Sequence, residues 1–176
     1  MTSIGSVNHG VAASQMDHEL RWKPNVTAAA IIERDGRFLL VEEETRDGLE
    51  LNNPAGHLDP GESPAQACAR ETMEETAHPF EPTGLVGIYL SRARRAEGEE
   101  VTYLRFAFCG RLGEPLAGRA LDTGIVRLLW MTPDEVRASR HRHRSPSVLR
   151  CVEDYLAGVR YPLAAVTMHD TGRGAT

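Results

Sequence analysis

A single α/β domain, with a mixed β-sheet sandwiched between helices, is the fold class this 176-residue sequence predicts. Three observations carry that reading. Apolar runs with β-branched residues come first, one firmly capped helix sits in the middle, and further strands then give way to helices. At 41% hydrophobic residues the chain can bury one substantial core, and its length argues against two.

The elements follow in order. Residues 1–19 mix Ser, Asn, His, Gly and Ala, with no apolar segment of the secretory type. They are expected to be a disordered extension, and Met16 is a second candidate start for the ordered protein. The folded domain is expected over 20–169, with a small polar tail at 170–176. Val26 to Ile32 reads as a strand, Asp35-Gly36 as a hairpin turn, and Arg37 to Val41 as the returning strand. After a polar link at Arg46, Asp47 and Gly48, Asn52-Asn53-Pro54 reads as loop or strand end. Ser63-Pro64-Ala65-Gln66 opens a helix: serine caps, proline suits the first turn, and Gln66 can close a capping box. Pro79 and Pro82 stop it just after Thr76. Gly84 to Leu90 and Val101 to Cys109 read as strands joined by a charged loop over Arg92 to Glu100, and Ile125 to Met131 as a third. Thr132-Pro133 opens a short helix, and Ser145-Pro146 a longer one that Gly158 ends.

Charge and cysteine usage narrow the function. The formal net charge is -5, which argues against general nucleic-acid binding. Cys68, Cys109 and Cys151 form no C-x-x-C pair and read as buried thiols of a reducing, cytoplasmic protein. No apolar run reaches the length of a membrane span.

Glu71, Glu74 and Glu75 need an explanation. With Arg70 at zero, helical geometry places Glu74 near ~40°, Glu71 near ~100° and Glu75 near ~140°. Ala65, Ala69, Thr72, Met73 and Thr76 fall at roughly 200° to 300°, a stripe able to dock on a sheet. Like charges this close cost about 0.2–0.5 kcal/mol per pair on an exposed helix. Geometry alone leaves two readings: a solvated acidic face, or a site where a divalent cation reverses the repulsion.

The preceding loop favours the cation. Gly56 is followed by five residues, Glu62, seven residues, Arg70-Glu71, and Glu74-Glu75 after two more. This spacing resembles the motif of the Nudix hydrolases, G-x5-E-x7-R-E-U-x-E-E-x-G-U, where U is a bulky apolar residue. The likeness extends in outline from Trp22 to Met168 through "WKPNVT", "NNPAGHLDPGE", "RSP" and "RYPL". Those outer segments resemble the NudJ-type bacterial phosphatases, which act on thiamine pyrophosphate and nucleoside phosphates. Three positions depart from the pattern: Thr72, Ala77 for the motif glycine, and His78.

The resemblance implies a Nudix fold and metal-dependent hydrolysis of phosphoanhydride bonds in nucleoside di- and triphosphates and thiamine pyrophosphate, with release of orthophosphate. It implies that the Gly56 carbonyl, Glu71, Glu74 and Glu75 hold Mg²⁺ or Mn²⁺, that Glu71 or Glu75 takes the proton of the attacking water, and that Arg70 and Glu62 form a structural ion pair. Arg70 as a phosphate clamp is the competing idea. Hard oxygen donors independently suit these cations. Asp122, then Glu114 and Glu100, are candidates for an additional acid. His57, Arg144 and Arg105 are candidate phosphate contacts, and Trp22 and Tyr89 candidate stacking platforms, each with a plain surface or core role as the alternative. His141 and His143 lack a third zinc ligand. The expected partner is a small phosphorylated substrate, with no membrane, and the chain is a monomer or homodimer. Rival readings are a non-catalytic nucleotide-sensing Nudix regulator and a hydrolase of dinucleoside polyphosphates or capped RNA.

Overall fold

Apolar residues on alternate sides of the strands set the architecture. The computed structural model describes residues 22–94 and 98–169, so the expectations for 1–19 and 170–176 lie outside the described residues. Its strands are β1 (Asn25–Ile31), β2 (Glu33–Arg34), β3 (Arg37–Thr45), β4 (Gly48–Asn52), β5 (Ala55–His57), β6 (Phe80–Arg94), β7 (Glu100–Leu112) and β8 (Ile125–Met131). Its helices are α1 (Pro64–Thr76), α2 (Pro133–Ala138) and α3 (Ser147–Leu156), with short 3₁₀ turns at Arg140–Arg142 and Leu163–Ala165.

Two sheets form. The first has the order β5-β1-β7-β6, with β1 parallel to β7 and its other neighbours antiparallel. In the second, β3 pairs with β2 and β4 on one side and β8 on the other. The chain crosses between sheets at Ile32, then reverses at Asp35-Gly36, where both φ values are positive (52° and 74°) as the predicted hairpin turn requires.

Alternation builds two cores. Ala28, Ala30, Ile32, Leu39, Leu85 and Phe108 pack with Ala67 and Cys68 of α1, while Ile31, Phe38, Leu40, Val86 and Ala107 pack with Val148, Cys151 and Val152 of α3. The sheets are therefore sandwiched between helices, as expected. The three described cysteine thiols are free and buried. Strands β6 and β7 run further than the sequence suggests, leaving only 95–99 between them. Proline does not stop β6: Pro82 lies on the sheet's edge strand at a bulge.

Helix α1 begins as predicted, with the Ser63 and Gln66 side chains capping reciprocally. Its roll about its own axis differs from the prediction. The buried residues are Ala67, Cys68, Thr72, Glu75 and Thr76, so the inward face is turned toward the acidic edge. Burial of both threonines is made affordable by their hydroxyls, which donate to the carbonyls of Cys68 (2.8 Å) and Thr72 (2.6 Å). Ala77 leaves the helix in the left-handed region at φ 59°, ψ 14°, and its N–H donates to the Met73 carbonyl at 3.0 Å. Alanine thus takes the conformation that glycine adopts without strain. Ser145 does not cap α3; Pro146 occupies the cap position, with no side-chain hydrogen bond there.

Candidate active site

Strand β5 and helix α1 meet at a seam with no room for an extra atom. A Cβ at Gly56 would overlap the Glu71 carboxyl group, so only glycine lets that carboxylate lie against the β5 backbone. One turn further on, Glu75 Oε2 accepts the N–H of Ala55 at 2.9 Å. Glu75 is 8% exposed. Burial first, then the charges of Glu43, Glu71 and Asp122, push its pKa up to about 8 against that one hydrogen bond. Burial also raises Glu71, opposed by Arg70.

Arg70 organises the rest. Its Nε and Nη2 donate to the two oxygens of Glu62 at 3.0 and 2.6 Å, a bidentate pair. Nη1 donates to Glu71 at 2.8 Å and Glu74 at 2.9 Å, and Nη2 also reaches the His57 carbonyl at 2.9 Å. This pairing holds the Glu62 carboxyl below the usual carboxylate range and raises the Arg70 pKa. The guanidinium therefore fastens the loop to the helix and draws two acids together. Among the described residues no group of three His, Cys, Asp or Glu side chains is set to hold a metal ion; Glu71 and Glu74 converge on Arg70 instead.

The other candidates sort by position. Asp122 sits beside the acids: its N–H donates to the Glu74 carbonyl at 3.0 Å, and its charge acts on Glu71 and Glu75. Glu114 is exposed in the loop after β7. Glu100 pairs with Arg94 at 3.2 Å near the β6–β7 turn, several residues along β7 from the level of Gly56, so it does not join the acids. His57 is exposed on β5, its ring 6.4 Å from that of Tyr103. Tyr89 takes the core role offered as its alternative: it packs partly buried against the α3 core, and its hydroxyl donates to Asp154 at 3.0 Å. Trp22 is 67% exposed ahead of β1. Arg144 pairs with Glu43 at 2.6 Å, and Arg105 donates to Asn52 at 3.2 Å. His143 bonds Ser139 at 3.3 Å.

Sequence reasoning missed Glu43, whose charge acts on Glu75. The signal for Glu43 was present in the run Glu42-Glu43-Glu44, which continues an apolar strand where a solvated loop would be expected.

A sandwich of this topology, with a glycine-bearing strand packed against an acidic helix, defines a class, and the comparisons agree. The NUDIX domain model matches residues 22–151, and the chain belongs to the Nudix hydrolase family. It is 32% identical over 145 residues to Phosphatase NudJ of Escherichia coli and of Shigella flexneri, covering 82% of this chain and 92% of those proteins. A NUDIX hydrolase from Nitrosomonas europaea is similar at 52% identity and TM-score 0.80, covering 85% of this chain and all of that one. The E. coli ORF135 protein superposes at TM-score 0.61 with 25% identity, over 77% of this chain and 90% of that one. The protein is thus a Nudix hydrolase with NudJ-like phosphatase homology. Among the described residues no helix is long and apolar enough to cross a membrane.

Proposed function

We propose that this protein is a divalent-cation-dependent hydrolase of phosphoanhydride bonds in nucleoside di- and triphosphates and thiamine pyrophosphate, releasing orthophosphate. The observation that carries the reading is the Gly56 seam, where a β5 glycine and the Glu71 carboxylate meet so closely that no side chain fits between them. The curated relatives' name, phosphatase, supports the same reaction class.

The donor set fits Mg²⁺ or Mn²⁺. Gly56 offers a main-chain oxygen, and Glu71, Glu74 and Glu75 offer carboxylates on one helix edge, the hard ligands these ions prefer. Held by these residues, a divalent cation would neutralise the substrate's phosphates and make the attacked phosphorus more electrophilic. Arg70, saturated by Glu62, Glu71, Glu74 and the His57 carbonyl, serves as a positioning residue and has little capacity left to clamp phosphate. Glu75 is buried and accepts one N–H, and its raised pKa makes its ionised carboxylate the stronger base for the proton of the attacking water; Glu71 is the second candidate for that role. Asp122, anchored to the end of α1, adds an acid at the same edge.

The test is a panel of ADP, ATP, thiamine pyrophosphate and diadenosine polyphosphate with Mg²⁺ or Mn²⁺, products identified by mass and by orthophosphate assay. Orthophosphate from the first three, abolished by chelator and restored by the cation, is the expected result. Tight nucleotide binding without turnover of any compound would sink the proposal and favour a regulator.

A further inference from the structure

Four buried polar atoms among the described residues lack a hydrogen-bond partner: Thr27 Oγ1, Glu43 Oε1, Asn53 Oδ1 and Arg105 Nη1. Leaving such a group unsatisfied costs about 1–3 kcal/mol, so a concentration of them marks a place where a partner binds. These are concentrated. Thr27 and Arg105 are register partners across β1 and β7, so their side chains leave the same face. Arg105 spends Nη2 on Asn52 of β4. Asn52 stands opposite Val41, and Glu43 is two residues further along β3, which puts Asn52 and Glu43 on one face of the second sheet. The charges of Glu43 and Glu75 both act on Arg105. Thr27, Arg105, Asn52 and Glu43 therefore form a polar recess between the two sheets, where the charge of Glu75 also acts.

The chemistry of the recess is mixed but fixed. Arg105 presents a donor, Glu43 an acceptor, and Thr27 a hydroxyl able to serve as either. Arg144 donates to the other Glu43 oxygen at 2.6 Å, which orients the carboxylate. The segment that carries Arg144 is itself pinned to β4, through the Arg144 N–H to the Leu51 carbonyl at 3.0 Å.

We infer that this recess binds the heteroaromatic ring of the substrate by an edge carrying an amino group beside a ring nitrogen. Glu43 accepts from the amino group, Arg105 donates to the nitrogen, and Glu43 is the residue that sets specificity. The inference rests on the proposed hydrolysis of phosphoanhydrides and adds the organic half of the substrate: phosphates lie at the Gly56 seam and the ring lies between the sheets.

The experiment compares kcat/KM for ADP and thiamine pyrophosphate with that for inorganic tripolyphosphate, which has no ring, in the wild type, Glu43→Gln and Thr27→Val. For Glu43→Gln the ratio of ringed to ringless substrate is expected to fall about 10- to 100-fold, mostly through KM. Thr27→Val, which keeps shape and removes the hydroxyl, should lower it several-fold. An unchanged ratio, whether because both substrates suffer alike or because neither does, overturns the inference. Should the wild type hydrolyse none of them, the parent proposal has failed separately, and calorimetric ADP binding with Mg²⁺ decides: weakening of tenfold or more in Glu43→Gln supports the recess. Equal affinity, or no binding by the wild type, overturns it. A thermal melt on each variant reports folding.

Discussion

Glu42 and Glu75 are both almost wholly withdrawn from solvent, at 2% and 8% exposure, yet their surroundings push them in opposite directions. Glu42, on β3, meets two guanidinium groups: Arg127 of β8 at 2.6 and 3.2 Å, and Arg142 of the 3₁₀ turn. Those partners hold its pKa below the usual carboxylate range despite burial. Glu75, on α1, has one main-chain N–H and faces three like charges. Its pKa is pushed up to about 8. Depth below the surface therefore says little about role. A buried acid with its charge matched joins segments of the fold, whereas one whose charge is unmatched is ready for a proton or a cation.

The largest effect that would sharpen this contrast is on turnover. Glu75→Gln should lower kcat by about 10²- to 10⁴-fold while leaving the melting temperature unchanged or higher, since a poorly matched charge is removed. Steady-state orthophosphate release and a thermal melt check both halves. Retention of activity within tenfold would make Glu75 a spectator.

Next comes pH, where the signs differ. Glu42's folded pKa lies below its unfolded value of 4.5, so its contribution is fully present above about 4.5 and lost as pH falls through the folded value. Glu75's folded pKa lies above 4.5, so the native state holds that proton more tightly than the unfolded chain. Stability should then decline as pH rises from 4.5 to about 8, by on the order of a few kcal/mol in chelator. Urea denaturation at several pH values tests this, and the decline should shrink in Glu75→Gln to the part that Glu71 contributes. A wild-type curve flat over that range contradicts it.

Glu42→Gln is expected to cost about 1–3 kcal/mol of stability, discounted because Arg127 is well exposed and keeps its hydration. Turnover per folded molecule should stay within about threefold, read at a temperature well below the melt. Smallest is Ala77→Gly. Relief of the left-handed conformation (about 1–2 kcal/mol) is offset by a lost buried methyl and a more flexible unfolded chain, leaving a net change within about 1 kcal/mol. A shift beyond that would mean Ala77 shapes the helix exit in some further way.

What the sequence showed in advance follows the range of each interaction. Local chemistry was legible: the Ser63–Gln66 box, the Asp35-Gly36 turn and the Ile125–Met131 strand stand where residue patterns place them. The spacing of Gly56, Glu62, Arg70, Glu71, Glu74 and Glu75 also pointed to the residues that gather at the seam. Long-range facts were not legible. The roll of α1 depends on the β5 backbone, twenty residues earlier in the chain, donating an N–H to Glu75. Arg142 and Arg144 sit in a run that looks like a basic patch, yet each neutralises a glutamate of β3 about a hundred residues away. A core role for Tyr89 was legible beside a stacking one, but nothing nearby in sequence reveals Asp154 as its partner.

The absence of a side chain at position 56 has a practical use for the bench. Gly56→Ala adds one methyl group where the Glu71 carboxyl already stands, so it should force β5 and α1 apart while every ionisable group stays in the molecule. An inactive control with unaltered isoelectric point and chromatographic behaviour would follow, one that separates the spacing of the donors from their chemistry.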